Sequence, residues 1–165
     1  GDADGDGFDD LFIGAAASDE GGIDAGAAYL VRGPVAGALD LSAADAKFVG
    51  EAYHDGAGEA VCTAGDVNGD GYDDLLVGAS NQDANPPNNG AAYMILGPAS
   101  GATDLAAADA KLVGEVNNDY AGKSVSTAGD VNGDGYDDLL VGAPQLDSGG
   151  DQDVGAAYMV LGGPP

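Results

Sequence analysis

Oxygen-donor side chains recur at one fixed spacing in three places: Asp2, Asp4, Asp6 and Asp10; Asp66, Asn68, Asp70 and Asp74; Asp130, Asn132, Asp134 and Asp138. They occupy positions 1, 3, 5 and 9 of a short loop. Gly7, Gly71 and Gly135 follow position 5, where a sharp turn needs a residue without a Cβ. Hard oxygens converging in a flexible loop suit Ca²⁺, which accepts about six to eight of them, whereas Mg²⁺ demands a tighter octahedron. The backbone carbonyl at position 7 (Phe8, Tyr72 or Tyr136) can supply a further ligand. The expected cofactor is therefore calcium, up to three ions with one per loop. The EF-hand begins similarly but closes on a bidentate Glu at position 12 between two helices. Here position 12 is Ile13, Val77 or Val141, and the flanks read as strands. The alternative of a solvated acidic turn that holds nothing is disfavoured by three copies with every donor position intact.

These loops must be placed by what surrounds them, and the surroundings repeat too. Asp2 to Asp66 is 64 positions and Asp66 to Asp130 is 64 again. GDVNGDGYDD stands unchanged at 65–74 and 129–138, and GPVAGALDLSAADAKFVGE (33–51) returns as GPASGATDLAAADAKLVGE (97–115). A fixed period of this size signals stacked supersecondary units, each burying its faces on its neighbours. Each period carries four short apolar runs, LLVGA (75–79), AAYMILG (91–97), KLVGE (111–115) and KSVSTAG (123–129), separated by Gly, Asp, Asn and Pro clusters. Four strands per unit is the reading. AAYMILG does not alternate apolar with polar, which fits a strand covered on both faces, and Val77, Tyr93 and Val113 are expected inside. Only DLSAADA and DLAAADA could hold a helical turn. The predicted fold is all-β: a partial β-propeller of four-stranded antiparallel sheets, with the acidic loop between strands one and two of each blade. It comprises a partial blade at 1–52, a complete blade at 53–116 and a partial blade at 117–165, about two and a half repeats of what is expected to be a longer chain. Neighbouring blades, from the same or another chain, are expected to cover the outer faces.

Composition narrows the partners. With 29 Asp and Glu against four Lys and Arg, the formal charge is −25, which repels phosphate backbones and anionic headgroups; nucleic-acid binding is disfavoured. The apolar runs stop far short of the roughly 20 residues that span a bilayer, so no membrane insertion is expected in this segment. Cys62 stands alone, without a disulfide partner, and aligns with Ser126, as a small strand residue would. His54 is the only histidine and aligns with Asn118, and no nucleophile has a base beside it in sequence, so catalysis is not expected. Tyr29, Tyr93 and Tyr158 recur at one strand position and read as core, and the pair Asp73–Asp74 suits metal duties better than a glycosidase dyad.

DxDxDGxxD or DxNxDGxxD between strands, preceded by AGKSVSTAGD (121–130) and followed by DDLLVGAP (137–144), resembles the FG-GAP repeat of integrin alpha subunits and of many bacterial surface proteins. Gly142, Ala143 and Pro144 match the GAP element, Gly14–Ala16 and Gly78–Ser80 depart at its third letter, and Ala57–Gly58 and Ala121–Gly122 stand where Phe and Gly would be. The resemblance implies a propeller with calcium in the loops joining strands one and two, and no catalysis. It implies an extracellular or cell-surface adhesion or protein-interaction scaffold; the short loops and near-identical units point to a bacterial source. A calcium-stabilised carbohydrate-binding propeller and a non-catalytic domain of a larger secreted enzyme are the alternatives. A protein or glycan ligand is expected on the face opposite the acidic loops, where the connecting segments differ between repeats and Tyr53, His54, Asn118 and Tyr120 are candidate contacts.

Overall fold

The computed structural model describes residues 1–82, 88–147 and 153–164, so the variable loops 80–89 and 145–154 fall partly outside the described residues. Each apolar run forms a strand, bounded by Gly and Asp turns. In chain order these are β1 (Leu11–Ala15), β2 (Ala27–Val31), β3 (Ala46–Val49), β4 (Ala60–Gly65), β5 (Asp74–Ala79), β6 (Ala91–Ile95), β7 (Gly101–Asp104), β8 (Ala110–Val113), β9 (Ser124–Gly129), β10 (Asp138–Ala143) and β11 (Ala156–Val160). The helical turns expected in the DLxxADA segments are single 3-10 turns at Leu41–Ala43 and Leu105–Ala107, where the Asp40 and Asp104 carboxylates accept from the amides of Ser42 and Ala106.

The strands make three sheets, ordered β1-β2-β3-β7, β4-β5-β6-β8 and β9-β10-β11. The middle sheet is the expected four-stranded antiparallel blade, with Val77 opposite Tyr93 and Leu76 opposite Met94. The three sheets are partial and complete blades of a propeller. Stacking follows from strand alternation. Leu75 and Val77 of β5 pack with Leu30 and Phe48 of the first sheet, while Leu76 packs with Leu139 and Val141 of the third. Phe12 meets Phe48 edge-on, with ring centroids 6.0 Å apart. Burying one such Leu or Phe stabilises the fold by about 1.5–3 kcal/mol, and both faces of the middle sheet contribute.

Close approach of the inner strands explains the glycines of the GAP and FG elements. A Cβ on Gly78 would lie 2.0 Å from the carbonyl oxygen of Gly122, and one on Gly122 would lie 2.0 Å from that of Ala91. Both obstacles are backbone, so neither can move aside. Gly122 N–H donates to the Gly142 carbonyl at 3.0 Å, and Gly58 N–H to that of Gly78 at 2.9 Å, closing the seam between successive strands.

Two expectations need correction. Val77 and Tyr93 are buried, but Val113 is 43% exposed. It stands on outermost strand β8 and borders a groove of about 360 Å³, which Leu112, Val141, Tyr158 and Val160 also line. The pairing is also not wholly antiparallel. β7 leaves the connection between β6 and β8 and runs parallel to β3 of the preceding blade, Ala46 opposite Gly101 and Val49 opposite Asp104. This strap joins one outer edge only. The sheets otherwise meet face to face, so it does not make the parallel stack of a β-helix.

Candidate metal centre

All three acidic loops emerge at one rim, ahead of β1 and between β4 and β5 and between β9 and β10. Pairing registers shift between Thr63 and Gly65 and between Asp138 and Leu139, bulges that open the strands into the loops. Within a loop the first Asp acts as organiser. Asp2 Oδ1 accepts from the amides of Gly5 at 2.8 Å and Asp6 at 3.1 Å, and its Oδ2 from Gly7 at 2.9 Å. Asp66 and Asp130 do the same, with Gly71 and Gly135 amides at 2.9 and 2.8 Å. These N–H donors hold the Asp130 carboxyl below its ordinary range, the Gly135 amide foremost.

Position 9 is the anchor. Asp10, Asp74 and Asp138 are buried, and each carboxylate is held at both ends. One oxygen accepts from position 2 of its own loop (Ala3, Val67 and Val131, each at 2.9 Å). The other accepts from Gly33, Gly97 or Gly162 after the third strand, at 2.8, 2.9 and 2.9 Å. Burial pushes the Asp74 carboxyl up to about 6 against the bonds from Gly97 and Val67, and the charges of Asp70 and Asp66 push the same way. A cation here would reverse that pressure.

The donors fit an oxygen-liking cation. In the first loop, carboxylate oxygens of Asp2, Asp4 and Asp10 lie within 4.8 Å of one another. Asp6 is not in that group; its Oδ1 accepts from Phe8 N–H at 2.9 Å, and Asp70 and Asp134 accept likewise from Tyr72 and Tyr136 at 3.0 and 3.1 Å. Position 3 is handled in two ways. Asp4 meets the Arg32 guanidinium at 3.1 Å, whereas Asn68 and Asn132 donate to Asp70 and Asp134 at 2.9 and 2.8 Å. Leu96 and Leu161 stand where Arg32 does. The loop with the extra carboxylate is the loop with the arginine.

Sequence reasoning missed the part played by Arg32 and the reach of position 8. Asp73 does not join its own loop. Its Oδ2 accepts from the amide of Asp2 at 2.9 Å, as Asp137 Oδ2 does from Asp66 at 3.0 Å. The signal was present in the repeated Asp-Asp pair, whose two members face different blades.

At the opposite rim Tyr53 is 66% exposed and His54 Nδ1 lies 3.4 Å from Asp24 Oδ2. Asp24, His54, Glu59 and Asn81 border one open hollow. Glu59 is further engaged by Ser80 and Lys123. Asn118 is exposed and Tyr120 half-buried, both with positive φ, as His54 has. Cys62 is packed against the interface of the second and third sheets, and burial pushes its thiol up to about 11, far from a reactive thiolate. Among the described residues no helix is long and apolar enough to cross a membrane.

Residues 57–94 and 121–159 match the family model of the FG-GAP repeat. Over 158 residues, 88% of this chain, the sequence is 34% identical to integrin alpha-PS2 of Drosophila melanogaster. It is 39% identical to integrin alpha pat-2 of Caenorhabditis elegans over 88 residues, 52% of this chain. It is also 39% identical to integrin alpha-8 of Mus musculus over 85 residues, 48% of this chain. The matched stretches cover 11%, 7% and 8% of those three relatives, so the chain corresponds to a small part of each.

Proposed function

We propose, from the premise that the chain belongs to the FG-GAP repeat family, that it is a calcium-binding, non-catalytic interaction scaffold of the cell surface or extracellular space. The observation that carries this reading is the convergence of Asp2, Asp4 and Asp10 carboxylates within 4.8 Å, in a loop whose donor positions recur at 66–74 and 130–138. The residues that would hold an ion are Asp2, Asp4, Asp6 and Asp10 with the Phe8 carbonyl; Asp66, Asn68, Asp70 and Asp74 with that of Tyr72; and Asp130, Asn132, Asp134 and Asp138 with that of Tyr136. When bound, the cation neutralises carboxylates that otherwise repel one another across the turn.

The rest of the work belongs to the chain. Position 1 orders three loop amides, and position 9 ties the loop to the glycine after the third strand. The ordered loops fix the ends of β1, β5 and β10, and through them the opposite rim, where a protein ligand is proposed to bind near Tyr53 and His54. Proteins are favoured as partners because the relatives are integrin alpha subunits, cell-surface adhesion proteins as the family resemblance implies.

Calcium titration of the metal-free chain by calorimetry tests the reading. Uptake of two or three ions below millimolar calcium is expected, with much weaker heats for magnesium. No uptake at millimolar calcium overturns it.

A further inference from the structure

Loops 65–74 and 129–138 have the same ten residues in the same order. Any difference in how they hold an ion must come from outside them, and their surroundings differ. The backbone of Asp66 is pinned by the next blade through a reciprocal pair: Asp66 N–H donates to Asp137 Oδ2 at 3.0 Å, and Asp137 N–H donates to the Asp66 carbonyl at 3.1 Å. The Tyr136 ring lies over Gly69, 2.5 Å from where a Cβ would stand. The first loop is gripped identically. Asp2 N–H donates to Asp73 at 2.9 Å, Asp73 N–H donates to Asp2 at 3.0 Å, and the Tyr72 ring lies 2.8 Å from a Cβ built on Gly5.

The third loop has no such cover among the described residues. Nothing lies within 4 Å of a Cβ built on Gly133. Position 2 records the same contrast: Ala3 and Val67 are buried, at 0% and 6% exposure, and Val131 is 50% exposed. Asp66, the first ligand of the covered loop, is half-buried, and Asp130 is exposed.

We propose that Tyr136–Asp137 and Tyr72–Asp73 are positioning residues for the cation site of the preceding blade, so that each site is shared between two blades. One blade supplies the ligands, and the next fixes the backbone of the first of them. The proposal rests on the calcium reading above and adds a partner to each site. The pinned amide and carbonyl belong to the residue whose side chain orders Gly69, Asp70 and Gly71, so fixing that backbone fixes the donor array before the ion arrives. The coupling is reciprocal: whatever the clasp adds to ion affinity, the ion adds to docking of the next blade. Asp137 also sets a carboxylate beside the preceding loop, which favours the loaded over the empty state.

The test is a calcium titration of the whole chain followed by the backbone amide resonances of Gly71 and Gly135, one reporter per loop. In the unaltered chain the Gly71 loop is expected to bind about tenfold more tightly than the Gly135 loop. Asp137→Ala should remove that difference by weakening the Gly71 loop and leave the Gly135 loop, in which the substitution sits, unchanged. Asp137→Asn, whose amide oxygen still accepts from Asp66, should restore most of it. Tyr136→Ala, which spares the hydrogen bonds, should weaken the Gly71 loop by a smaller factor. Hydrogen exchange of the Asp66 amide shows whether the clasp has opened. Equal affinities in the unaltered chain, or Asp137→Ala weakening its own loop instead, overturn the proposal. If neither reporter moves at millimolar calcium, the calcium reading itself has failed and this proposal goes with it.

Discussion

At the scale of single residues, the loops show how much depends on what stands beside a carboxylate. Type and spacing in the sequence picked out Asp2, Asp4 and Asp10, whose carboxylate oxygens the fold brings within 4.8 Å of one another, because position 1, 3 and 9 spacing is local to ten residues. Arg32 could not be read that way: it reaches Asp4 from the end of β2 and passes on to the Ala99 carbonyl of the next blade at 3.0 Å. The chain has four Lys and Arg in all, and each is paired with a carboxylate: Arg32 with Asp4, Lys47 with Glu20, Lys111 with Glu51 and Lys123 with Glu59. Arg32 is the one whose partner, Asp4, stands at a proposed ligand position of an acidic loop. Arg32→Leu copies the pattern of the other two repeats while leaving Asp4 in place. The metal-free protein should lose about 1 kcal/mol, or about 3 °C, since Asp4 is then unpaired beside Asp2 and Asp10. Calcium should bind the first loop more tightly, so the calcium-induced rise in melting temperature grows. A smaller rise would mean that Arg32 presents Asp4 to the ion rather than shielding it.

At the scale of elements, legibility tracked how locally each strand is determined. The strands of the middle blade were readable as short apolar runs between turn residues, and the 64-residue repeat confirmed each boundary. β7 was not readable. GATD carries no apolar run, and its counterpart GALD at 37–40 is not a strand, so the β state of Gly101–Asp104 comes from pairing with β3 rather than from its own residues. Val113 failed for a related reason, since alternation places it on a face but does not say whether another element covers that face. The glycines of the inner strands are the reverse case, visible in sequence yet explained only by packing. Gly78→Ala drives a methyl against the Gly122 backbone and is expected to destabilise by about 3 kcal/mol or more, because neither strand can shift without parting two blades. Gly135→Ala meets nothing within 4 Å and carries only the strain of φ 95°, about 1–2 kcal/mol. Urea midpoints of the two variants, taken without metal, should rank in that order; equal midpoints would show that the inner seam gives way easily.

At the scale of the whole molecule, the opposing terms are stacked apolar faces and a formal charge of −25. Excess negative charge favours expansion, and generic salt reduces that by screening, chiefly between exposed groups farther apart than the Debye length of about 8–10 Å. Carboxylates within 4.8 Å of one another, or buried as Asp10, Asp74 and Asp138 are, feel little of that screening. Calcium and sodium should therefore act differently. With Kd near 0.1 mM for the two covered loops, in the range of extracellular modules, and about tenfold weaker for the third, 1 mM free calcium stabilises by about 1.4 kcal/mol at each covered loop and about 0.4 at the third, or about 3 kcal/mol in all. For a domain of this size that is a rise of about 6–12 °C in melting temperature. Sodium chloride matched to the same ionic strength should give a rise of a degree or two. Asp70→Ala should remove about two-fifths of the calcium increment, leaving the other two loops responsive, and Asp70→Asn should remove less. If matched sodium chloride reproduced the whole calcium effect, the loops would be acting as diffuse charge rather than as sites. If chelator left the melting curve of the calcium-treated protein unchanged, the acidic loops would contribute to the fold through their hydrogen bonds alone.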